Sequence, residues 1–539
     1  MQKHSLSYRD TNFFTPLVND YLDQKENVQQ FYGLFPTLEN FGKQILSKKD
    51  NYDNNGGNEK RAALVKILKE QYQNLELTEA TAGNIELLND STTFTVTTGH
   101  QLNLFTGPLY FLYKIVTAIN LAADLKKEYP DYNFVPVYWM ATEDHDFEEI
   151  SFFHLHGKKF QWNPPQTKKS GGPVGELPTE GLNDVFELFS AEIGNSKNAQ
   201  QLKEWFQKAY LEHDNLADAT RYLANELFKE QGLVILDAHQ PGLKKFYSPY
   251  IEQELFEQVS FKTAQQKTEA LEKEGYGVQV NPREINLFYL KEGLRERIIE
   301  KDGKFFVHEQ EITWSREELQ ELIKEHPERF SPNVLLRPLY EEVILPNLCY
   351  IGGGGELAYW FQLKELFEKT DVTFPILLLR NSALLQTEKQ DQKRQKLNIT
   401  LPELFLKSHE LINRKVRQIS NIDIDFSLQK EHLVQQFQGM YELAEKTDKT
   451  FINAVKAQEV KQLKGLDHLE KRLLKAQKRK LEDEVSRIAA LQQDLFPGQG
   501  LQERHHNFSE FYLEYGDTLI PNLLQSLRPL ELKFDILSL

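Results

Sequence analysis

Between Thr92 and Thr98 the chain runs through β-branched and aromatic residues, and a polar loop then leads into an apolar helical stretch, Pro108–Lys126. Short apolar strands alternating with helices return along the chain. Phe134–Met140 predicts a second strand after a Pro-Asp turn, and Leu233–Asp237 a third, behind a helical stretch near Ala199–Glu230. Asn347–Ile351 and Phe374–Leu379 predict the fourth and fifth, separated by a helix across Glu356–Lys369. Such alternation implies an α/β fold whose parallel sheet is covered on both faces.

The distance from the second strand to the fourth is too long for simple βαβ crossovers, so the core carries insertions. One is expected at Ile150–Leu177, with the turn-rich run Asn163–Pro178. Another is expected at Gly277–His308, where alternation at Asn286–Leu290 and Lys304–His308 suggests a small antiparallel sheet. The first ninety residues read as helices broken by the Asn- and Gly-rich loop Asp50–Asn58. After Arg380 the chain is helical nearly to its end. Leu474, Leu481, Ile488 and Leu495 fall seven apart, with Leu463, Leu466, Val485 and Leu491 filling part of the same stripe. That predicts an imperfect coiled coil ended by Pro497-Gly498. The expected organisation is therefore an N-terminal helical segment (1–90), a Rossmann-like core (91–385) with connecting insertions at about 150–230 and 277–335, a helical coiled-coil arm (386–505) and a C-terminal segment (506–539) returning to the core.

Composition narrows the function classes. The 539 residues, 40% hydrophobic and 12% aromatic, supply a sizeable core. A formal net charge of −16 argues against general nucleic-acid or anionic-membrane binding. Residues 456–480 depart from it, with nine Lys/Arg against three Asp/Glu, as a solvated helix face, a dimer arm or a lip for an anionic ligand would. Met1–Asp10 is too polar for a signal peptide, and no apolar run reaches the length of about 18 residues that a membrane span needs. A lone cysteine, Cys349 in the apolar stretch Leu345–Ile351, excludes an intramolecular disulfide and a cysteine-ligated zinc site. These features point to the cytoplasm and to a buried thiol.

Polar groups gather where the predicted strands end, which is where open α/β sheets bind ligands. Thr97-Thr98-Gly99-His100-Gln101 is followed by Thr106-Gly107-Pro108, placing a sharp turn and a histidine near a helix start. Its Thr-x-Gly-His spacing is similar to the His-x-Gly-His signature of nucleotidylyl transferases and class I aminoacyl-tRNA synthetases. Glu143-Asp144-His145-Asp146 follows the second strand. It would hold a divalent cation such as Mg, tune the imidazole, bind a substrate amine, or simply cap a turn. Gly352-Gly353-Gly354-Gly355-Glu356 opens a helix containing Tyr359 and Trp360 and permits close ligand approach, though it matches neither a P-loop nor a dinucleotide fingerprint. Asp237-Ala238-His239, Arg337-Pro338 and Arg380-Asn381-Ser382 repeat the pattern.

Thr98-Gly99-His100-Gln101 with Thr106-Gly107-Pro108, and Val135-Pro136-Val137-Tyr138-Trp139 leading into Glu143-Asp144-His145-Asp146, together resemble the cysteine-adding enzymes of bacillithiol biosynthesis. So do Ser331-Pro332-Asn333-Val334 to Arg337-Pro338-Leu339, and Gly355-Glu356-Leu357-Ala358-Tyr359-Trp360. The blocks stand in family order over essentially the whole chain. The resemblance implies a Rossmann-like core related to nucleotidylyl transferases and a coiled coil supporting a homodimer. It also implies ATP or ADP binding and the joining of cysteine to glucosaminyl-malate. On that basis His100 would stabilise charge on a transferring phosphoryl group near Gly99. Glu143, Asp144 or Asp146 would hold an ammonium and take its proton, and Arg337 or Arg380 would clamp carboxylate or phosphate oxygens. The family pattern is not complete, since the stretch after the fifth strand, Arg380-Asn381-Ser382-Ala383-Leu384-Leu385, lacks the lysines of synthetase-like adenylating loops. A nucleotidylyl transferase for another small acid, and a nucleotide-binding dimeric scaffold, are the competing readings.

Overall fold

The computed structural model describes residues 2–164 and 171–539, so part of the turn-rich run at 163–178 lies outside the described residues. The chain divides into two compact units. The first holds the residues up to Arg9, Phe13–Leu384 and Gln502–Leu537; the second holds Asp10–Asn12, Leu385–Leu501 and Ser538–Leu539.

The first unit is built on five parallel strands, β1 (Thr93–His100), β2 (Asn133–Met140), β3 (Val234–Asp237), β4 (Asn347–Gly352) and β5 (Ile376–Leu379), in spatial order β5-β4-β1-β2-β3. The direction of winding reverses between β1 and β4, and ligands of doubly wound sheets bind outside the carboxyl ends at such a reversal. Every residue of β1 is buried, which explains its unbroken run of β-branched and aromatic residues. Phe94, Val96, Leu348, Ile351, Ile376 and Leu378 pack with Ala118, Leu121 and Leu125 of the Tyr110–Glu128 helix and with Phe41 and Ile45 of the Leu38–Asn54 helix. Burying each large side chain of this kind contributes about 1.5–3 kcal/mol. Cys349 sits fully buried in the same cluster, and burial pushes its thiol well up, so it is a packing residue.

The second insertion carries a five-stranded antiparallel sheet in the order Thr313–Trp314, Lys304–Val307, Leu294–Lys301, Leu287–Lys291, Phe330–Pro332. Three details differ from the sequence expectation. The stretch near Ala199–Glu230 is two helices, Lys197–Leu211 and Leu216–Phe228, because Ser196 and Asn215 each cap a start. The helix expected across Glu356–Lys369 is likewise two, Gly354–Trp360 and Lys364–Lys369. A three-stranded sheet that was not anticipated joins Gln2–Leu6, Phe534–Ser538 and Ser382–Gln386.

The second unit is helical. Ser427–Glu445 and Lys449–Lys480 pair as an antiparallel hairpin around Phe437, Ala444 and Val455, with Lys430 bonded to Asp467 and Glu470, and Tyr441 to Glu459. The heptad does not lie on one continuous helix. Leu481 is non-helical (φ −105°, ψ 32°) and separates Lys449–Lys480 from Glu482–Leu495. Lys478-Arg479-Lys480 before the break and Glu482-Asp483-Glu484 after it favour a helix end followed by a helix start through the backbone dipoles. No helix among the described residues is long and apolar enough to cross a membrane.

Candidate active site at the carboxyl edge of the sheet

β1 ends at Gly99 and His100, beside β4 on one side and β2 on the other. Gly99 is closely approached: an added Cβ would lie 3.3 Å from the Tyr350 hydroxyl and 3.5 Å from Arg337 Nη1. His100 is 6% exposed and lies between the rings of Tyr110 (5.4 Å) and Phe111 (5.0 Å). Burial, helped by the nearby Lys114 ammonium, pushes its pKa down to about 3. The imidazole is therefore held neutral, so whatever it donates to is met by a neutral N–H. Its Nε2 has no hydrogen-bond partner among the described residues. Thr97 lies further back in β1, with its hydroxyl donating to Asn347 Oδ1 at 2.9 Å.

The following turn is held in unusual backbone geometry. Phe105, Thr106 and Gly107 all have positive φ (50°, 67° and 61°). Asn507 Nδ2 donates to the carbonyls of Phe105 (2.7 Å) and Gly107 (2.6 Å), and the Phe105 ring anchors the turn among Phe153, Phe189, Phe206 and Phe508.

A buried polar network lies beneath the β1–β4 reversal. Lys114 Nζ donates to the Gly99 carbonyl at 2.6 Å and pairs with Glu356 at 2.7 Å. Glu356 accepts from the Gly353 N–H (2.8 Å) and from the Tyr350 hydroxyl (2.7 Å). Arg337 donates to Glu341 (2.6 Å) and to the Tyr350 and Tyr359 hydroxyls, both at 3.3 Å. Burial drives Glu341 up to about 8 although Arg337 opposes the shift. Trp360 packs on Tyr350 at 4.6 Å. The glycine run is approached by its own chain: an added Cβ on Gly354 would meet Val18 at 3.2 Å and one on Gly355 would meet Gln279 at 3.9 Å. The Gly353 N–H is taken up by the Glu356 carboxylate, whose charge Lys114 answers. Arg380, Asn381 and Ser382 are also buried, and their polar groups are bonded within the protein except for Arg380 Nε, which has no partner among the described residues. Arg380 binds Glu503 (2.7 Å) and Ser382 Oγ (3.0 Å), and Asn381 donates to the Arg528 carbonyl (3.1 Å).

The acidic run after β2 fans out. Glu143 turns to Lys244 (2.7 Å) and His239 (3.1 Å), Asp144 accepts from Gln101 (2.8 Å), and His145 Nδ1 accepts from Arg295 (2.6 Å). Asp146 caps the short Phe147–Ile150 helix. Among the described residues no group of three or more His, Cys, Asp or Glu is arranged to hold a metal ion. Burial alone would raise Glu143, but Lys244 and His239 outweigh it and hold the carboxyl far below the usual range. Burial likewise opposes charge on His239, yet its bonds to Glu143 and Glu176 raise it to about 10. The stability that His239 contributes is therefore fully present below its ordinary pKa of 6.5 and lost as pH rises through about 10. An NMR titration should find His239 still protonated at pH 8, and Glu143→Gln should return its midpoint towards neutrality. A midpoint near 6.5 in the unmodified protein would rule out this coupling.

Two clefts flank the acidic run. The larger, about 700 Å³, is lined by Gln101, Gly107, Tyr110, Glu149, Arg504 and the His154/His505 pair, whose rings stack at 4.3 Å. Burial and His505 push His154 down to about 4. Rings and a guanidinium suit a flat base and a phosphate. The facing carboxylates of Asp146, Glu148 and Glu149 suit an ammonium or a cation between them and that phosphate. The smaller cleft, about 560 Å³, lies beyond the ends of β2 and β3 and includes Thr142, Asp237 and His239.

Residues 1–381 match the family described as "Bacillithiol biosynthesis BshC, N-terminal Rossmann-like domain", and residues 383–539 match "Bacillithiol biosynthesis BshC, C-terminal coiled-coil domain". The chain belongs to the BshC family. Among its relatives, a "Putative cysteine ligase BshC" of Christiangramia forsetii is 62% identical over 100% of this chain and 99% of its own length. The Flavobacterium johnsoniae protein of the same name is 56% identical, with 100% of both chains covered. That of Cytophaga hutchinsonii is 37% identical over 97% of this chain and 96% of its own. As a BshC member with relatives so named, the chain is assigned to bacillithiol biosynthesis as a ligase.

Within this BshC fold, sequence reading found the strand-end motifs but missed the residues that connect them. Lys114 had a signal, as the one charge between Pro108 and Ala123. Lys244, Arg295, Glu503 and Asn507 had none, because their partners are remote in sequence, whereas Glu341 stands one helical turn from Arg337.

Proposed function

We propose that the chain is an ATP-dependent ligase joining the carboxylate of cysteine to the amine of glucosaminyl-malate, the last step of bacillithiol synthesis. The observation that carries this reading is the pair of ligand-sized clefts flanking one acidic turn at the sheet's carboxyl edge, in a chain of the bacillithiol family. Amide formation needs an activated carboxylate, and a nucleotide bound over Tyr110, Arg504 and the His154/His505 stack would supply that activation. The protein's own part is to position and to manage a proton. Asp146 and Glu149 line the larger cleft, where they would bind an ammonium and accept the proton released as the amine attacks. His100, neutral and buried, braces the Tyr110 ring.

Mass spectrometry of small thiols in cells lacking the gene tests the reading. Loss of bacillithiol with accumulation of glucosaminyl-malate, both reversed by the wild-type gene, is expected. Persistence of bacillithiol would reject it. A nucleotide-linked product from the purified protein would indicate a nucleotidylyl transferase.

A further inference from the structure

At the amino ends of β1 and β4, away from both clefts, three cations surround one aromatic ring. Lys48 Nζ, Lys60 Nζ and Arg61 Cζ lie 5.9, 5.2 and 5.3 Å from the centre of the Tyr52 ring, and all three side chains are buried. Lys48 is paired with Glu342 (2.7 Å). Arg61 donates to the carbonyls of Leu88 (3.0 Å) and of Thr93 (2.9 Å), where β1 begins. Lys60 has no such answer. It is 7% exposed, and its ammonium makes no hydrogen bond or ion pair with any described residue. Tyr52 supplies no charge, because burial keeps its hydroxyl protonated and it is bonded to the Ile344 carbonyl (2.6 Å). Two further carboxylates that act on Arg61, Asp53 and Asp90, are at the surface and engaged with Lys49 and Thr92, both at 2.8 Å.

Three buried cations against the single Glu342 carboxylate leave an excess of two positive charges, and uncompensated buried charge is costly. Burial and the neighbouring Lys48 ammonium answer part of that cost by pushing Lys60 towards the neutral amine, with its pKa brought down to about 8. The helix that carries Lys60 adds a bias of its own. Lys60 is the fourth residue of Gly57–Gln71, whose N-terminus no side chain caps, and a helix N-terminus favours negative charge over positive. A reaction that turned this cation into an anion would satisfy both demands. Acylation would not, because it yields a neutral amide and leaves one positive charge in excess. With so little of the side chain exposed, the electrophile must also be small.

We propose that Lys60 Nζ is a carbamylation site, at which carbon dioxide adds reversibly to give a lysine N-carboxylate within the cluster of Lys48, Arg61 and Tyr52. The nitrogen lone pair bonds the carbon of carbon dioxide, one C=O bonding pair moves onto oxygen, and the nitrogen releases a proton to water. Nothing is oxidised or reduced, and no group leaves. The side chain passes from cation to anion, which cancels the excess of two positive charges among the buried groups. The site lies at the opposite end of the strands from the clefts and is independent of the ligase reading.

Chemical trapping tests it. The full chain is equilibrated with isotope-labelled bicarbonate at about pH 7.5, quenched with a trialkyloxonium salt that converts carbamates to stable esters, digested, and mapped by mass spectrometry. Peptide mapping separates Lys60 from the α-amine at the chain start, which also forms carbamates. At that pH the neutral fraction of Lys60 exceeds that of an ordinary lysine by on the order of a hundredfold. Labelled ester should therefore be at least about tenfold more abundant on Lys60 than on the exposed Lys66 and Lys127. Lys60→Met, which removes the unanswered charge at similar volume, should fold. It should also lose the rise in melting temperature that bicarbonate, compared with chloride at equal ionic strength, gives the wild type. Ester on Lys60 no more abundant than on Lys66 and Lys127 would overturn the proposal. So would a bicarbonate-dependent rise in melting temperature with no ester on Lys60, since the cluster would then hold the anion without reacting.

Discussion

Replacing Lys114 with methionine should lower folding stability by about 3 kcal/mol and abolish turnover. The side chain is 4% exposed, and its ammonium joins the Gly99 carbonyl of β1 to the Glu356 carboxylate beyond β4. Methionine fills much of the same volume, so cavity formation is a small part of the effect. The loss comes from Glu356, which keeps its bonds from Gly353 and Tyr350 and would remain an anion with no counter-charge. Breaking a buried pair from one side costs about 3–5 kcal/mol, whereas removing both charges is often nearly neutral. Lys114→Met/Glu356→Gln should therefore recover part of the stability, and a double-mutant cycle by urea denaturation measures the coupling. A single variant within about 0.5 kcal/mol of wild type, the ordinary scatter of surface substitutions, would show that the pair does not hold β1 to β4.

The second large effect is expected at Gly107. Its φ of 61° with ψ of −133° is a region that L side chains rarely adopt, and an added Cβ would fall 2.5 Å from Asn103 Cβ. Backbone strain and overpacking each cost about 1–3 kcal/mol, so Gly107→Ala should destabilise by about 3 kcal/mol. It should also displace Pro108 and Tyr110 from the lip of the larger cleft and so weaken the binding of the nucleotide proposed for it. Gly157→Ala is the control, because that glycine also has positive φ (73°) but an added Cβ meets nothing within 4 Å. Equal losses at the two positions in thermal melts would show that the approach of Asn103 does not matter.

The parts of this fold that sequence revealed are those whose physics is local. The five core strands stood out because β1 to β5 are buried nearly throughout, which demands unbroken apolar runs. The polar turns at their ends stood out because glycine, histidine and carboxylates interrupt such runs. Long-range closure was invisible. Nothing about Ser5 announces a bond to Asp535 at 2.7 Å, nor anything about His145 one to Arg295. For the same reason the separate partners of Glu143, Asp144 and His145, drawn from three other segments, could not be read from the acidic run itself. Heptad spacing marked the coiled-coil segment but not the break within it. It survives a one-residue break, so the end of the helix at Leu481 was written only in the switch from basic to acidic residues.

The Gln502–Leu537 segment belongs to the first unit although residues 385–501 come between. It supplies Glu503 to the buried Arg380 and Asn507 to the Phe105–Gly107 turn. During synthesis, a nascent chain that has just completed β5 has a sheet but no counter-ion for Arg380 and no clamp on that turn. At roughly 5–20 residues per second, the helical excursion postpones both by roughly ten seconds. The larger cleft, which takes Arg504 and His505 from this segment, can therefore take its final shape only after the smaller one, whose lining is complete by Gln240.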